Sequence, residues 1–235
     1  MDSNKKILVV GDLHGFFSVL QEVILCTEGI ALVLQCGDFG YWPDDMRLPR
    51  RGFRNAFGQI IPVHFCDGNH EHHEALAELP LSAHGSCAIV PGVFYQARGS
   101  VLRLPNGKSV LFAGGASSVD RASRVARVDW FEQEVLTEQD YARFPEKAQI
   151  DLVISHAAPS SMQVPSGPVV DFSDPSRDIL EKILHGYRPR QWFCGHYHQR
   201  FSQQLGKCAF TALDCAHSPY DVNEVQEAGF EVLVV

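Results

Sequence analysis

Five apolar runs in this chain end in the same way, and that repeated ending constrains the fold more than any other feature. Ile7-Leu8-Val9-Val10 runs into Gly11-Asp12-Leu13-His14-Gly15. Ile30 to Cys36 runs into Gly37-Asp38-Phe39-Gly40, and Ile60 to Cys66 into Asp67-Gly68-Asn69-His70-Glu71. Ile150 to Ser155 meets His156, and Gln191 to Cys194 meets Gly195-His196-Tyr197-His198. A short apolar run bounded by turn residues fits a strand buried on both faces. In extended backbone, residues two apart point to one side. Asp12 and His14 are therefore aimed together from the end of a rigid strand, as a metal-ligand pair would be.

The stretches between the first runs carry helical spacing. Phe16 to Cys26, Arg47 to Phe57 and Glu71 to Leu79 are expected helices. Strand, polar loop and helix then recur three times, an α/β arrangement with parallel strands. In such sheets sites gather outside the carboxyl ends of the strands. Further on, Val101 to Leu104 and Ser109 to Ala113 flank Pro105-Asn106-Gly107-Lys108, a hairpin signal. Gly114 to Ser118 is an expected flexible turn. Asp120 to Gln149 is expected to be helical in two pieces, with Thr137 as N-cap of the second. Ala157 to Ser173 is rich in Ser and Pro and forms a long loop, and Asp174-Pro175 opens a helix to His185. Short strands finish the chain, Phe230 to Val235 last. No repeat or linker interrupts it, so residues 1–235 are expected as one domain.

Composition narrows the function classes. A net charge of −8 argues against broad nucleic-acid affinity, which runs on phosphate neutralisation, and leaves a local nucleic-acid contact open. Seven cysteines without a C-x-x-C pair give no disulfide framework and fit reduced, mostly core thiols. Neither a signal-peptide pattern nor a run of ~18 apolar residues is seen, so a cytoplasmic protein without a membrane span is expected. No stretch specifies an oligomeric state.

The polar blocks offer carboxylates, imidazoles and an amide oxygen, with no thiolate among them. That set suits divalent or trivalent transition metals such as Mn, Fe, Zn or Ni. It exceeds what one ion needs, and two ions sharing one carboxylate is the natural arrangement. Two-metal sites with ions ~3.5–4 Å apart clamp a phosphoryl group for in-line attack by metal-bound hydroxide.

In order and wording, Gly-Asp-Leu-His-Gly, Gly-Asp-Phe-Gly, Gly-Asn-His-Glu, Ser-His-Ala-Ala-Pro and Gly-His-Tyr-His resemble the blocks of the calcineurin-like metallophosphoesterases, from residue 11 to residue 198. The resemblance implies a four-layer αββα sandwich with two mixed β-sheets and a dinuclear centre at its edge. It implies Asp12, His14 and His198 as ligands of one ion, Asn69, His156 and His196 as ligands of the other, and Asp38 as the bridge. His70 would face substrate as the general acid. In the protein-phosphatase branch the second block continues into Asp-Arg-Gly, whose Arg grips phosphate; here Phe39-Gly40-Tyr41-Trp42 follows Asp38. The segment Gly114 to Arg121 is similar to one in bacterial and phage members and brings Arg121 or Arg124 forward as the substrate-binding arginine.

The function expected from these readings is hydrolysis of a small phosphodiester or phosphomonoester. A Ser/Thr-type phosphoprotein phosphatase and a nuclease are the alternatives within the same chemistry. A non-catalytic scaffold is the alternative outside it, and retention of every block, His70 included, argues against that. His64, His72, His73, His84, His185 and His217 match no block and are expected to be structural or surface residues.

Overall fold

Alternate residues of the first strand point into two different cores. β1 (Lys6–Val10) places Ile7 and Val9 in one apolar cluster and Leu8 and Val10 in another, so every one of these positions is apolar. The computed structural model describes residues 5–146, 148–167, 171–216 and 229–234. Its strands form two six-stranded sheets. In the first, β1 lies between β12 (Phe230–Val234) and β2 (Ile30–Gln35), followed outward by β3 (Val63–Phe65), β5 (Val93–Gln96) and β4 (Ser86–Val90). β1, β2, β3 and β5 run parallel, and β12 and β4 close the edges antiparallel. The second sheet repeats the plan. Its parallel strands are β7 (Ser109–Ala113), β8 (Leu152–Ser155), β9 (Gln191–Cys194) and β11 (Cys208–Ala212). β6 (Val101–Arg103) and β10 (Phe201–Leu205) are its antiparallel edges.

The layers follow from the alternation. Ile7, Val9, Leu32 and Leu34 of the first sheet cluster with Val110, Phe112, Leu152 and Ile154 of the second. Burying each such side chain is worth ~1.5–3 kcal/mol, so this inner layer holds the strand ends of both sheets in one frame. On the outer face of the first sheet lies α1 (Phe17–Cys26), whose buried Phe17, Leu20, Val23 and Ile24 share one stripe. Outside the second lies α4 (Ser176–Tyr187), with Ile179, Leu180, Ile183 and Leu184 buried. The result is the expected four-layer sandwich with two mixed sheets. Two short helices, α2 (His73–Ala77) and α3 (Glu138–Tyr141), complete the named helices among the described residues. None of these helices is long and apolar enough to cross a membrane.

Several expectations are corrected. Arg47 to Phe57 is a series of turns, not a helix: Gly52 sits at φ +69°, Asn55 Oδ1 accepts from Phe57 N and Gln59 N, and Arg54 bridges to Ile60. Side chains that bond nearby backbone in this way compete with the helical ladder. Asp120 to Gln149 contains only two short 3₁₀ turns and α3 among its described residues, because Arg127 is left-handed at φ +63° and Asp129 Oδ1 takes the Val125 N–H at 2.5 Å. Thr137 does cap α3, in a reciprocal box with Asp140. β4 and β5 form where the sequence pattern announces no strand. The run from Ile60 contributes only its last part to β3.

The parallel strands β1, β2, β3, β7, β8, β9 and β11 all deliver polar loops at their carboxyl ends, and the two sheets face each other there. Arg98, just past β5, ties one of these loops to the segment before α3. Its Nε and Nη2 donate to Asp67 Oδ2 at 2.9 and 2.7 Å, and its Nη1 to Asp140 Oδ2 at 3.0 Å. It also donates to the carbonyls of Gln133, Glu134 and Val135. Arg98→Leu would leave Asp67 buried without its cation. The expected loss is ~3–5 kcal/mol of folding stability, read as a lowered urea midpoint; a midpoint unchanged from wild type would show that the network carries no stability.

Candidate metal centre

The loops at these strand ends are shaped to converge. Gln35, the last residue of β2, donates from Nε2 to the carbonyls of Gly11 and Gly37 at 3.0 and 2.5 Å, which clips the first two exits together. Gly195 and Gly68 are required by close approach: a Cβ on either would collide with Asp12 Oδ1 or Asp38 Oδ1. Four non-glycine residues at the convergence, His14, Asp38, His196 and His198, have left-handed backbone with φ between +46° and +70°. Such conformations cost ~1–3 kcal/mol each and persist where the surroundings over-determine them, typically at functional sites.

Asp12 and Asp38 form the centre, 0% and 1% exposed. Asp12 accepts the His196 backbone N–H on both oxygens, at 2.9 and 3.1 Å. His198 Nε2 lies 3.2 Å and His14 Nε2 3.8 Å from Asp12 Oδ2. Asp38 Oδ1 accepts the His70 backbone N–H at 2.7 Å, and His14 Nε2 lies 3.7 Å from Asp38 Oδ2. His156 Nε2 faces Asp38 Oδ1 at 3.4 Å and Asn69 Oδ1 at 3.0 Å. His156 Nδ1 donates to the Cys36 carbonyl at 2.8 Å, so Nε2, turned toward the carboxylate, is the nitrogen that would serve a metal once its proton is given up. The His196 ring stands edge-on to His156, centroids 4.9 Å apart.

The electrostatics of the cluster follow from its two buried carboxylates. Burial by itself raises the pKa of both carboxyls. His156 outweighs it, with His198 and His14 on Asp12 and with His70 and His14 on Asp38, and holds both below the ordinary carboxylate range. Burial opposes charge on His156, yet Asp38 and Asp12 push its pKa up to about 10. His196 is driven down to about 3 by burial and by His156. Two buried anions thus draw in whatever positive charge the site can reach. The donors also fit metal ions. A tetrahedral ion with nitrogen and oxygen ligands at ~2.0–2.1 Å separates neighbouring donors by about 3.3–3.4 Å; here His14 Nε2 and His198 Nε2 are 3.2 Å apart. Donor atoms of Asp12, His14, His198 and Cys215 lie within 4.8 Å of one another, as do those of Asp12, Asp38 and His156, and of His14, Asp38 and His70.

His70, whose side chain is 40% exposed, stands on the open side. Arg124 donates from Nη2 to its Nε2 at 2.6 Å and pairs with Asp120 at 2.8 Å. A cavity of about 400 Å³ is lined by His14, Asp38, Asn69, His70, Arg124, His196 and His198, among others. A second of about 370 Å³ shares His14, His70, Asp120 and Arg124 and extends to Trp42, Arg47 and Asp129. Arg121 lines neither and instead lies over the Trp130 ring, 4.1 Å from its centroid. Of the unmatched histidines, His72 accepts the Ala75 N–H at the start of α2, His64 stacks on Phe94, and His185 pairs with Glu181. His73 is buried, His84 bonds through its backbone to Ser82, and His217 lies outside the described residues.

Two supporting residues and one further donor had no motif to announce them, and Ser118 lay in the Gly114 to Arg121 segment without an assigned role. Gln35 is described above. Ser118 Oγ accepts the Asn69 Nδ2–H at 3.2 Å and donates to Glu134 Oε2 at 2.8 Å. Glu134 Oε1 accepts from Ser118 N and Trp130 Nε1, at 2.7 and 2.9 Å. Because Glu134 accepts at both oxygens, Ser118 must donate to it, which turns the Asn69 nitrogen to Ser118 and its oxygen to His156. The further donor is Cys215, whose sulfur enters the cluster although its sequence neighbourhood carries no block. Glu71, read with the Asn69 block, accepts from Gly40 N and Gly68 N at 3.1 and 2.6 Å and so braces two loops. Burial and Asp38 push its pKa up to about 8.

Comparison with known proteins matches residues 5–200 to the calcineurin-like phosphoesterase family. The chain belongs to that metal-dependent family and is a phosphoric ester hydrolase. No curated protein matches the sequence. Among solved structures, a protein of Thermus thermophilus shares the fold at 10% identity and a TM-score of 0.51, with 99% of each chain covered. A novel archaeal phosphodiesterase is similar at 10% identity and a TM-score of 0.45, covering 98% of this chain and 99% of its own. The 5′-nucleotidase of Candida albicans is similar at 11% identity and a TM-score of 0.41, covering 99% of this chain and 51% of its own.

The Glu134–Ser118–Asn69 chain makes a direct prediction. In Glu134→Gln the two N–H groups at Oε1 keep the amide oxygen there, so the amide nitrogen lands on Ser118 Oγ and the polarity of the chain is broken. Transition-metal affinity should fall ~10–100-fold, as measured by calorimetric titration of chelator-stripped protein. Wild-type affinity in Glu134→Gln and Ser118→Ala together would show that Ser118 does not orient Asn69.

Proposed function

We propose that one domain over residues 1–235 forms a dinuclear centre and hydrolyses a small phosphoester. In this reading Asp12, His14 and His198 hold one ion, Asn69, His156 and His196 the other, and Asp38 is shared. The observation that carries it is the gathering of these seven residues from five strand ends in two sheets: donor atoms of Asp12, His14, Asp38, His156 and His198 fall into shared groups, Asn69 Oδ1 faces His156, the His196 ring stands edge-on to His156, and neither buried carboxylate has a Lys or Arg partner among the described residues. Two bound transition-metal ions would supply charge neutralisation on the phosphoryl oxygens and a water acidified enough to attack phosphorus in line. The donor set suits Mn, Fe, Zn or Ni.

The chain's own groups supply the rest. Arg124, its side chain 7% exposed and anchored by Asp120, offers its guanidinium to a phosphoryl oxygen beside His70. His70 hands a proton to the leaving oxygen. Burial lowers the His70 pKa, Asp38 raises it, and His14 and Arg124 lower it again, which makes its protonated form a stronger acid. Asp120 and Asp129 on the walls of the outer cavity balance Arg47 and Arg124, so no surplus of positive charge awaits a dianion. That favours the monoanionic phosphodiester over a phosphomonoester dianion, and the cavity sizes favour a compact molecule over nucleic acid. Seven free cysteines suit a reducing, cytoplasmic setting.

Activity on an aryl phosphate and a bis-aryl phosphate, across a panel of added metals, tests this reading. Diester turnover should at least equal monoester turnover; strong preference for phosphoserine or phosphothreonine peptides would overturn the substrate assignment. His70→Ala should lose ~10²–10⁴-fold in rate on esters with poor leaving groups and keep its metal. Metal loss in that variant would make His70 a ligand. Arg124→Ala should raise KM, while Arg121→Ala should not.

A further inference from the structure

The fourth parallel strand of the second sheet also ends at the centre, and what it delivers there is a thiol. Cys215 follows β11 by three residues and is 8% exposed. Its position is fixed from both sides: Leu213 N donates to the Cys194 carbonyl at 2.8 Å, and Ala216 N donates to the Asp12 carbonyl at 2.7 Å. The second bond ties this loop to the β1 exit, one of the two carboxylate-bearing loops. The sulfur lies within 4.8 Å of donor atoms of Asp12, His14 and His198. Those three already stand at ligand spacing, with His14 to His198 and His198 to Asp12 both at 3.2 Å. Among the described residues the Cys215 sulfur has no hydrogen-bond partner, and no other cysteine enters a group of this kind. The family match ends at residue 200 and the sequence blocks at His198, so neither includes this residue.

We propose that Cys215 is a sulfur ligand of the ion held by Asp12, His14 and His198, and that it biases this position toward thiophilic metals such as zinc, cobalt or iron over manganese. This rests on the dinuclear reading above and adds a donor to it. Softer ligands select softer metals, whereas carboxylate and water suit manganese and magnesium. On binding, the metal–sulfur bond forms as the S–H bond breaks, and the proton leaves to solvent. No oxidant or reductant is involved. The role of the second sheet is thereby extended: all four of its parallel strands reach the centre, through Ser118, His156, His196 and Cys215.

Chelator-stripped protein reloaded with Co(II) gives the test, since thiolate ligation produces an intense near-ultraviolet sulfur-to-cobalt charge-transfer band that oxygen and nitrogen ligands do not. Wild type should show this band, and Cys215→Ser should lose it while keeping the visible d–d bands of bound cobalt. The zinc-to-manganese affinity ratio should fall in the same variant. Stoichiometric cobalt binding by wild type with d–d bands alone would overturn the proposal and leave the dinuclear centre standing. Failure of cobalt to bind at all would overturn both. If Cys215→Ser does not fold, the wild-type spectrum decides by itself.

Discussion

Asp12 and Asp38 are buried anions whose charged partners among the described residues are all imidazoles, with a backbone N–H donated to each. An ionised carboxylate removed from water costs several kcal/mol unless opposite charge and hydrogen bonds replace its hydration. The rest of the molecule is arranged around meeting that cost. Two sheets bring their parallel strand ends to one edge, glycines let backbone and carboxylate approach, and four left-handed residues turn donors inward. The same constraint explains the spread of histidine pKa values. His156 is pushed up to about 10 beside both anions, and His196, equally buried but next to His156, is driven down to about 3. The site favours positive charge on His156 and His198 and has room for metal charge.

A cluster of this kind needs a rigid surround, and the surround is polar rather than apolar. Gln35 clips the β1 and β2 exits, Glu71 bridges Gly40 and Gly68, Glu134 orients Asn69 through Ser118, and Arg98 holds Asp67 two residues before Asn69. Each of these buried polar groups is satisfied by backbone or by a charged partner, so each fixes a loop without leaving an unpaired donor. The catalytic edge of the sandwich is therefore held by hydrogen bonds, and the two sheets behind it by apolar packing.

Much of this was legible in the sequence, for a physical reason. A strand buried on both faces is a continuous apolar run, and the residue where the run stops is the residue at the sheet edge. Asp12, Asp38, His156 and His196 could be found that way, and the order of the blocks supplied the rest. What was not legible depended on distance along the chain. β5 is only Val93-Phe94-Tyr95-Gln96, and its strand character comes from pairing with β3 and β4. The 120–149 segment has helical composition, but a left-handed Arg127 and the Asp129 bond to Val125 hold it open. Arg121 and Arg124 were equivalent in sequence; a 3₁₀ turn sends one to Trp130 and the other to His70. Cys215 sits after an ordinary short strand, and only the sheet topology shows that this strand ends beside Asp12.

Element-specific anomalous scattering from crystals grown with manganese or zinc tests the central claim most directly. Two peaks ~3.5–4 Å apart are expected, one against Asp12, His14 and His198, the other against Asn69, His156 and His196, with Asp38 in contact with both. A single peak, or a second peak out of reach of Asp38, would contradict it.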